Sequence, residues 1–436
     1  MNPTACPTRY SVSEWHSVEL DGIVLTDEDR ALIARLCSES ESRLSIAELR
    51  GSLLISARSW VGVIRFHHFE LHIEPKLVGD HLQLVELIDY ATGIGALDRH
   101  PAERTLKEGG SSLFDIIALL FVETCERLVR GGLLTDYVEV EDDIPVIRGK
   151  LLLEKQILRR FGRIDRLQCR YDEYMTDIIE NQILLAGLSV CARRVSHPDV
   201  AMRVRRLVTI FSEVCELRGL DLRLTRASLV YNRMNGHYLE SHGLAWLIFD
   251  GLGIDDVFAA GSRRCFAFLL DMNKLFEGFI SRWLQQVLSG NDFHVIPQRR
   301  DRTILWNADL SRPYSSVVPD VLIEKKGKPK SALPVDAKYK LYDQRNIATS
   351  DIYQTFLYAY AYGESHALLP TAFVLYPASS IDSGLARLHI RRSGGATTAQ
   401  LTAVPIHIPT ALQEARSGFV GLLSKRLLTL INQVFS

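Results

Sequence analysis

Asp320, Asp336 and Lys338 are the residues of this 436-residue chain whose types and spacing promise chemistry. They fall in "VVPDVLIEKKGKPKSALPVDAKYK", residues 317–340, where two apolar strand-like runs, Val317 to Ile323 and Ala332 to Ala337, each carry an aspartate. A charge inside a buried strand is costly unless it is paired or binds an ion. If the runs pair as a hairpin across the polar turn "EKKGKPKS", period-two alternation puts Asp336 and Lys338 on one face, and Asp320 on the neighbouring strand meets them at one end of the sheet. Two carboxylates alone repel, and one keeps its proton. A hard divalent cation such as magnesium, with manganese as a substitute, takes oxygen ligands from both. A metal so placed polarises a phosphate oxygen and acidifies a bound water, while Lys338 orients that water or steadies the growing negative charge. The chemistry that fits is hydrolysis of a phosphodiester.

The elements around these residues add candidates. The helical stretch "DMNKLFEGFISRWLQQVL" carries Glu277, a third acid that a helix packed beside the sheet can supply. Downstream, Gln354 and Tyr358 in "SDIYQTFLYAYAYG" are at i and i+4 and share one helix face. Core packing accounts readily for Tyr358, less so for Gln354. With strand "FHVIPQ" before the hairpin and "TAFVLYP" after the second helix, residues 261–436 read as an α/β layer with a mixed central sheet.

Two regions precede it. Residues 1–80 read as a small α+β domain in which helix "DEDRALIARLCSE" is followed by the strands "GSLLISA", "WVGVIRF" and "FELHIEPKL", with Gly62 and His67–His68 at the turns. Residues 81–260 read as mainly helical: "SSLFDIIALLFVETCERLVRGG" starts on serine cap candidates and stops at Gly131–Gly132, and further helices run through "DEYMTDIIENQILLAGLSVCARRV" and "DVAMRVRRLVTIFSEVCELRG". A β-rich insertion falls near 133–157. Both regions are expected to dock a partner.

Composition narrows the class. A formal net charge of −1 excludes a polycation that coats nucleic acid along its whole surface, so any such surface is local. Seven scattered cysteines without a CxxC pair argue against a disulfide framework or a zinc knuckle and for a reducing compartment. The apolar runs are far short of a membrane span and the first residues lack a secretory pattern, so the expected location is the cytoplasm, with no membrane partner. "GLGIDD" and "TGIGAL" lack the third glycine of a dinucleotide site and read as helix ends. His237 and His242 lack zinc-pair spacing and read as satisfied histidines. The basic runs 299–302, 203–206 and 324–330 are either phosphate contacts or solvated faces.

Asp320, the Asp336-Ala337-Lys338 triplet, Glu277 before them and Gln354-xxx-Tyr358 after them resemble the PD-(D/E)xK nuclease fold in its variant with a QxxxY helix. The strings "DMNKLFE", "VDAKYK", "DIYQTFLYAYAYG", "IRGKLLLEKQI" and "YDEYMTDIIENQILLAGL" are similar to the McrC family, the nuclease subunit of McrBC-type modified-cytosine (5-methylcytosine) restriction systems. The resemblance implies a magnesium site at Asp320, Asp336 and Glu277, a catalytic lysine at Lys338, and Gln354 and Tyr358 as supports. It also implies double-stranded DNA as substrate and a partner, the McrB-like AAA+ GTPase hexamer whose hydrolysis the subunit stimulates. The chain has no GxxxxGK[ST] loop, which agrees with a nucleotide site lying on that partner. A departure is the long lysine-rich turn between Asp320 and Asp336. Two other readings stay open: a stand-alone nuclease of the same fold, and a non-catalytic activator of an NTPase.

Overall fold

The structure is a computed structural model that describes residues 8–38, 43–79, 81–95, 112–163, 165–217, 220–253, 265–363 and 369–435. The chain divides into two units, one made of residues 1–97 and 264–436, the other of 98–263. The three consecutive domains read from the sequence are corrected on this point: the first and last stretches build one unit. The reason lies in strand pairing.

The first stretch folds as β1 (Thr8–Ser13), β2 (Ser17–Asp21), α1 (Asp27–Ser38), β3 (Leu44–Glu48), β4 (Ser52–Ala57), β5 (Trp60–Arg65), β6 (Phe69–Glu74) and α2 (His81–Thr92). The second unit contributes α3 (Leu113–Gly131), β7 (Asp136–Ile144), β8 (Lys150–Leu151), α4 (Leu153–Arg160), β9 (Leu167–Met175), α5 (Ile179–Arg194), α6 (Pro198–Val214), α7 (Leu222–Ser228) and α8 (Leu239–Leu252). The chain then returns with β10 (Phe266–Asp271), which pairs antiparallel with β5, Phe268 opposite Val63, and completes a sheet of order β1-β6-β5-β10. Apolar side chains of β10 join the core of the N-terminal strands, Ala267 and Leu269 beside Ile64 and Leu71. Gly62, read as a turn residue, lies inside β5: its φ is +151° and a Cβ there would meet the Phe268 carbonyl oxygen at 2.0 Å, so only glycine lets the two strands approach.

After β10 come α9 (Met272–Val287), β11 (Phe293–Pro297), β12 (Asp301–Asn307), β13 (Arg312–Val317), β14 (Val321–Lys325), β15 (Lys328–Ala337), α10 (Thr349–Tyr362), β16 (Thr371–Pro377), β17 (Ala386–Arg391), β18 (Thr397–Ile406), α11 (Ile408–Ser417) and α12 (Leu422–Phe435). Six strands form one mixed sheet of order β11-β14-β15-β16-β18-β17. β14 and β15 are the expected antiparallel hairpin, Val321 opposite Val335, whereas β15, β16 and β18 run parallel. The apolar runs that face both ways, such as Thr371–Pro377, are those of a sheet covered on two sides. β12 and β13 form a separate two-stranded ribbon.

In the other unit, α3 begins at Ser112 with a complete capping box: the Ser112 side chain accepts from the Asp115 amide and Asp115 reaches back to the Ser112 N–H. The β-rich insertion is a three-stranded sheet of order β7-β9-β8, and it extends past 157 to Met175. "DEYM" is therefore strand, not the start of a helix, because Leu167–Met175 pairs along its whole length with β7. His242 is fully buried, held by Tyr231 Oη and the Glu180 carbonyl, and burial lowers its pKa to about 4, as befits a satisfied neutral core histidine. Gly93 of "TGIGAL" and Gly253 of "GLGIDD" take left-handed φ immediately after α2 and α8, as helix ends do; residues 96–97 and 254–256 of these strings lie outside the described residues.

Candidate active site

β14 and β15 bring the acid pair together. β13 stops at Val317 and β14 starts at Val321, so Asp320 sits just before its strand, at the end of the sheet. Its backbone carbonyl accepts from the Gln298 N–H at 2.9 Å, and its Oδ2 accepts from the Ala337 N–H at 2.7 Å. Asp336 occupies the penultimate position of β15 and is 1% exposed. Lys338 follows it, its own N–H donating to the Leu375 carbonyl of β16 at 2.8 Å, and its Nζ lies 3.0 Å from Asp336 Oδ2. The Lys338 ammonium thus pairs with Oδ2, while Oδ1 has no hydrogen-bond partner among the described residues.

Electrostatics follow from burial. Asp320 is pushed up to about 8, first by desolvation and then by the charges of Asp336 and Glu277. Asp336 is raised too, by desolvation, with Lys338 opposing. Burial works against the Lys338 ammonium, yet Asp336 and Asp320 outweigh it and hold its pKa above normal. The pair therefore shares a proton near neutrality, and its titration belongs to both groups.

Glu277 on α9 lines an open groove of about 500 Å³ together with Asp320, Lys274, Arg282 and Gln298. Burial raises its pKa and the Lys338 charge opposes that rise. Among the described residues, no three His, Cys, Asp or Glu side chains converge as a ready set of metal ligands. The expected triad of ligands is thus a close pair, Asp320 and Asp336, with Glu277 in the groove wall. A divalent cation fits that pair: Lys338 meets only Oδ2 of buried Asp336, Oδ1 is left without a partner among the described residues, and hard carboxylates are the donors magnesium prefers.

Gln354 and Tyr358 share a face of α10 but do not reach the acids. Gln354 Nε2 donates to Tyr358 Oη at 2.8 Å, and Tyr358 Oη donates to the Val318 carbonyl at 3.1 Å, two residues before Asp320. Tyr358 fixes the segment that carries Asp320; Gln354 fixes Tyr358. Sequence reasoning missed the next layer, in which Lys340 Nζ lies 2.6 Å from Asp351 Oδ2 and Tyr342 donates to the same oxygen. Alternation from Asp336 through Lys338 to Lys340 was the available signal.

The fold and site define a mixed α/β protein whose central sheet ends in a buried acid pair and a lysine, open to a polar groove. The chain belongs to the McrBC 5-methylcytosine restriction system component family, whose model matches residues 55–377. Its fold is similar to that of a chain in a refined half-complex from the tetradecameric assembly of Thermococcus gammatolerans McrB AAA+ hexamers with bound McrC, at 18% identity and a TM-score of 0.56, covering 94% of this chain and 99% of that chain. A chain in the cryo-EM structure of the Thermococcus gammatolerans McrBC complex matches at 21% identity and a TM-score of 0.46, over 65% of this chain and 88% of that chain. No curated protein matches. The family read from the sequence is borne out. Among the described residues no helix is long and apolar enough to cross a membrane, and the six described cysteines are free.

Proposed function

We propose that this chain is the metal-dependent DNA endonuclease subunit of a modification-dependent restriction complex in the cytoplasm, with a nuclease domain of PD-(D/E)xK type. It docks on an McrB-like AAA+ GTPase hexamer, stimulates GTP hydrolysis, and hydrolyses phosphodiesters of double-stranded DNA. The observation that carries the reading is the meeting of Asp320, Asp336 and Lys338, with Asp336 buried, its Oδ2 3.0 Å from the Lys338 ammonium and its Oδ1 without a partner among the described residues. Asp320 and Asp336 would hold magnesium, with Glu277 in the wall of the same groove as the further acid. When bound, the ion polarises a phosphate oxygen and lowers the pKa of a coordinated water. Lys338, kept charged by its two neighbours, orients the attacking water and offsets the charge that grows on the phosphate.

The test is plasmid cleavage with magnesium by the wild type and Lys338→Ala, each with and without the ring partner and GTP. Cleavage by the wild type plus partner alone supports the proposal. Equal cleavage by both versions would remove Lys338 from the chemistry. No cleavage, with faster partner GTP hydrolysis by both, would make the chain an activator.

Tyr358→Phe removes the hydroxyl that holds the Val318 carbonyl, a loss of about 1 kcal/mol in hydrogen bonding. Cleavage is expected to fall about tenfold through misplacement of Asp320, while the pH profile of the reaction keeps its shape. A profile displaced by a pH unit or more would mean that Tyr358 acts on the acids directly.

A further inference from the structure

The β12–β13 ribbon springs from the two sides of the acid site. β12 starts three residues after Gln298, which lines the groove and bonds Asp320, and β13 ends three residues before Asp320. Gln298 has a φ of +44°, a left-handed conformation uncommon for glutamine, at the point where the chain leaves β11 for the ribbon. An isolated two-stranded ribbon is marginal in water and gains by burying apolar side chains. This one does the opposite: Trp306 is 55% exposed and Tyr314 is 76% exposed. The pairing skips one residue between Leu305–Ser315 and Trp306–Pro313, so Tyr314 is the extra residue of a bulge, a device that re-aims a side chain.

Charge identifies the occupant. Residues 299–317 hold four arginines against two aspartates in a chain whose formal net charge is −1. Arg299 is spent on Glu324. Arg300, Arg302 and Arg312 are exposed and make no ion pair among the described residues. Unpaired arginines beside exposed aromatic surface suit phosphates and the sugar or base edges next to them. A two-stranded ribbon also has the cross-section that the major groove of B-DNA admits, about 12 Å wide. Seven residues of strand span about 20 Å, close to six base pairs along the duplex.

We propose that the β12–β13 ribbon is a DNA-holding arm that grips the duplex within about half a turn of the cut phosphate. This rests on the nuclease reading above for the place of the cut, but not for the grip itself. The test measures binding of the full chain to a fluorescein-labelled 20-base-pair duplex by anisotropy, in calcium and across a salt series. For Arg302→Ala/Arg312→Ala we expect at least a tenfold weaker Kd at low salt and a salt slope lower by about 2, since each lost phosphate contact removes about 0.9. Trp306→Ala weakens binding with the slope unchanged. Arg302→Lys/Arg312→Lys restores the slope, which a misfolded ribbon cannot do. Unchanged duplex affinity in the alanine variants overturns the arm, and does so equally if those variants lose stimulation of the ring partner, which would make the ribbon a protein contact. Ribbon-dependent binding without magnesium-dependent cleavage leaves the arm standing and removes the nuclease reading.

Discussion

Asp336→Asn is expected to reduce magnesium-dependent DNA cleavage about a thousandfold or more while leaving assembly with the ring partner intact. The magnitude follows from losing a ligand charge that supports several kcal/mol of transition-state stabilisation, at 1.36 kcal/mol per decade of rate. The residue is 1% exposed, and with Lys338 on Oδ2 alone its Oδ1 has no partner among the described residues, so the buried carboxylate is only half satisfied without a further cation. A second readout separates metal binding from turnover. Manganese is expected to raise the melting temperature of the wild type and not that of Asp336→Asn, because a ligand that binds only the folded state stabilises it by mass action. That rise grows with pH. Asp320 is held near 8 by burial, Asp336 and Glu277, so below that pH the ion must displace a proton, and its affinity climbs up to tenfold per pH unit before levelling off. An equal manganese shift in both proteins would move the ion away from Asp336.

The chemistry was more legible in the sequence than the architecture. Asp320, Asp336 and Lys338 stood out because charged residues in apolar strands cannot be explained by packing, and the β14–β15 hairpin then followed from alternation. α3 was legible to its ends because Ser112 and Gly132 are local signals. The joining of the N-terminal strands to β10 was not legible, since which strands become neighbours depends on long-range burial that no local pattern encodes. β9 was misread because Asp172, Glu173 and Met175 are acceptable in a helix, and only pairing with β7 overrides that preference. The β12–β13 ribbon escaped notice for a related reason. Both its faces are largely exposed, so "RTILWN" lacks the clean alternation of a half-buried strand. Glu277 shows the limit of spacing arguments: its helix does line the groove, but the three acids do not close into one ligand set.

Glu14→Gln is expected to raise stability at pH 8 by roughly 3 kcal/mol over the wild type and to leave pH 4 stability little changed. Glu14 follows β1, is fully buried, and is raised to about 7 by desolvation, against the Lys76 N–H at 3.0 Å and Tyr339 Oη at 2.8 Å that both donate to its Oε2. Among the described residues its Oε1 has no hydrogen-bond partner. Tyr339 is itself buried against Phe276, next to Lys338 in sequence, so this carboxyl ties the first strand to the strand of the acid pair. The folded state holds a proton up to about pH 7, whereas the unfolded chain gives it up near 4.5. The unfolded state therefore binds fewer protons between those values, and stability falls as pH rises through that window. Each pH unit costs up to 1.36 kcal/mol, which sets the scale of the effect. Glutamine keeps an acceptor for Tyr339 and has no proton to lose. Asp320 also lowers stability across this range and His242 raises it over the lower part, but both act equally in the two proteins, so the difference between their denaturation midpoints from pH 4 to 8 isolates Glu14. Parallel pH profiles would mean that Glu14 is ionised in the folded protein at pH 5, and that the Lys76 and Tyr339 hydrogen bonds outweigh its burial.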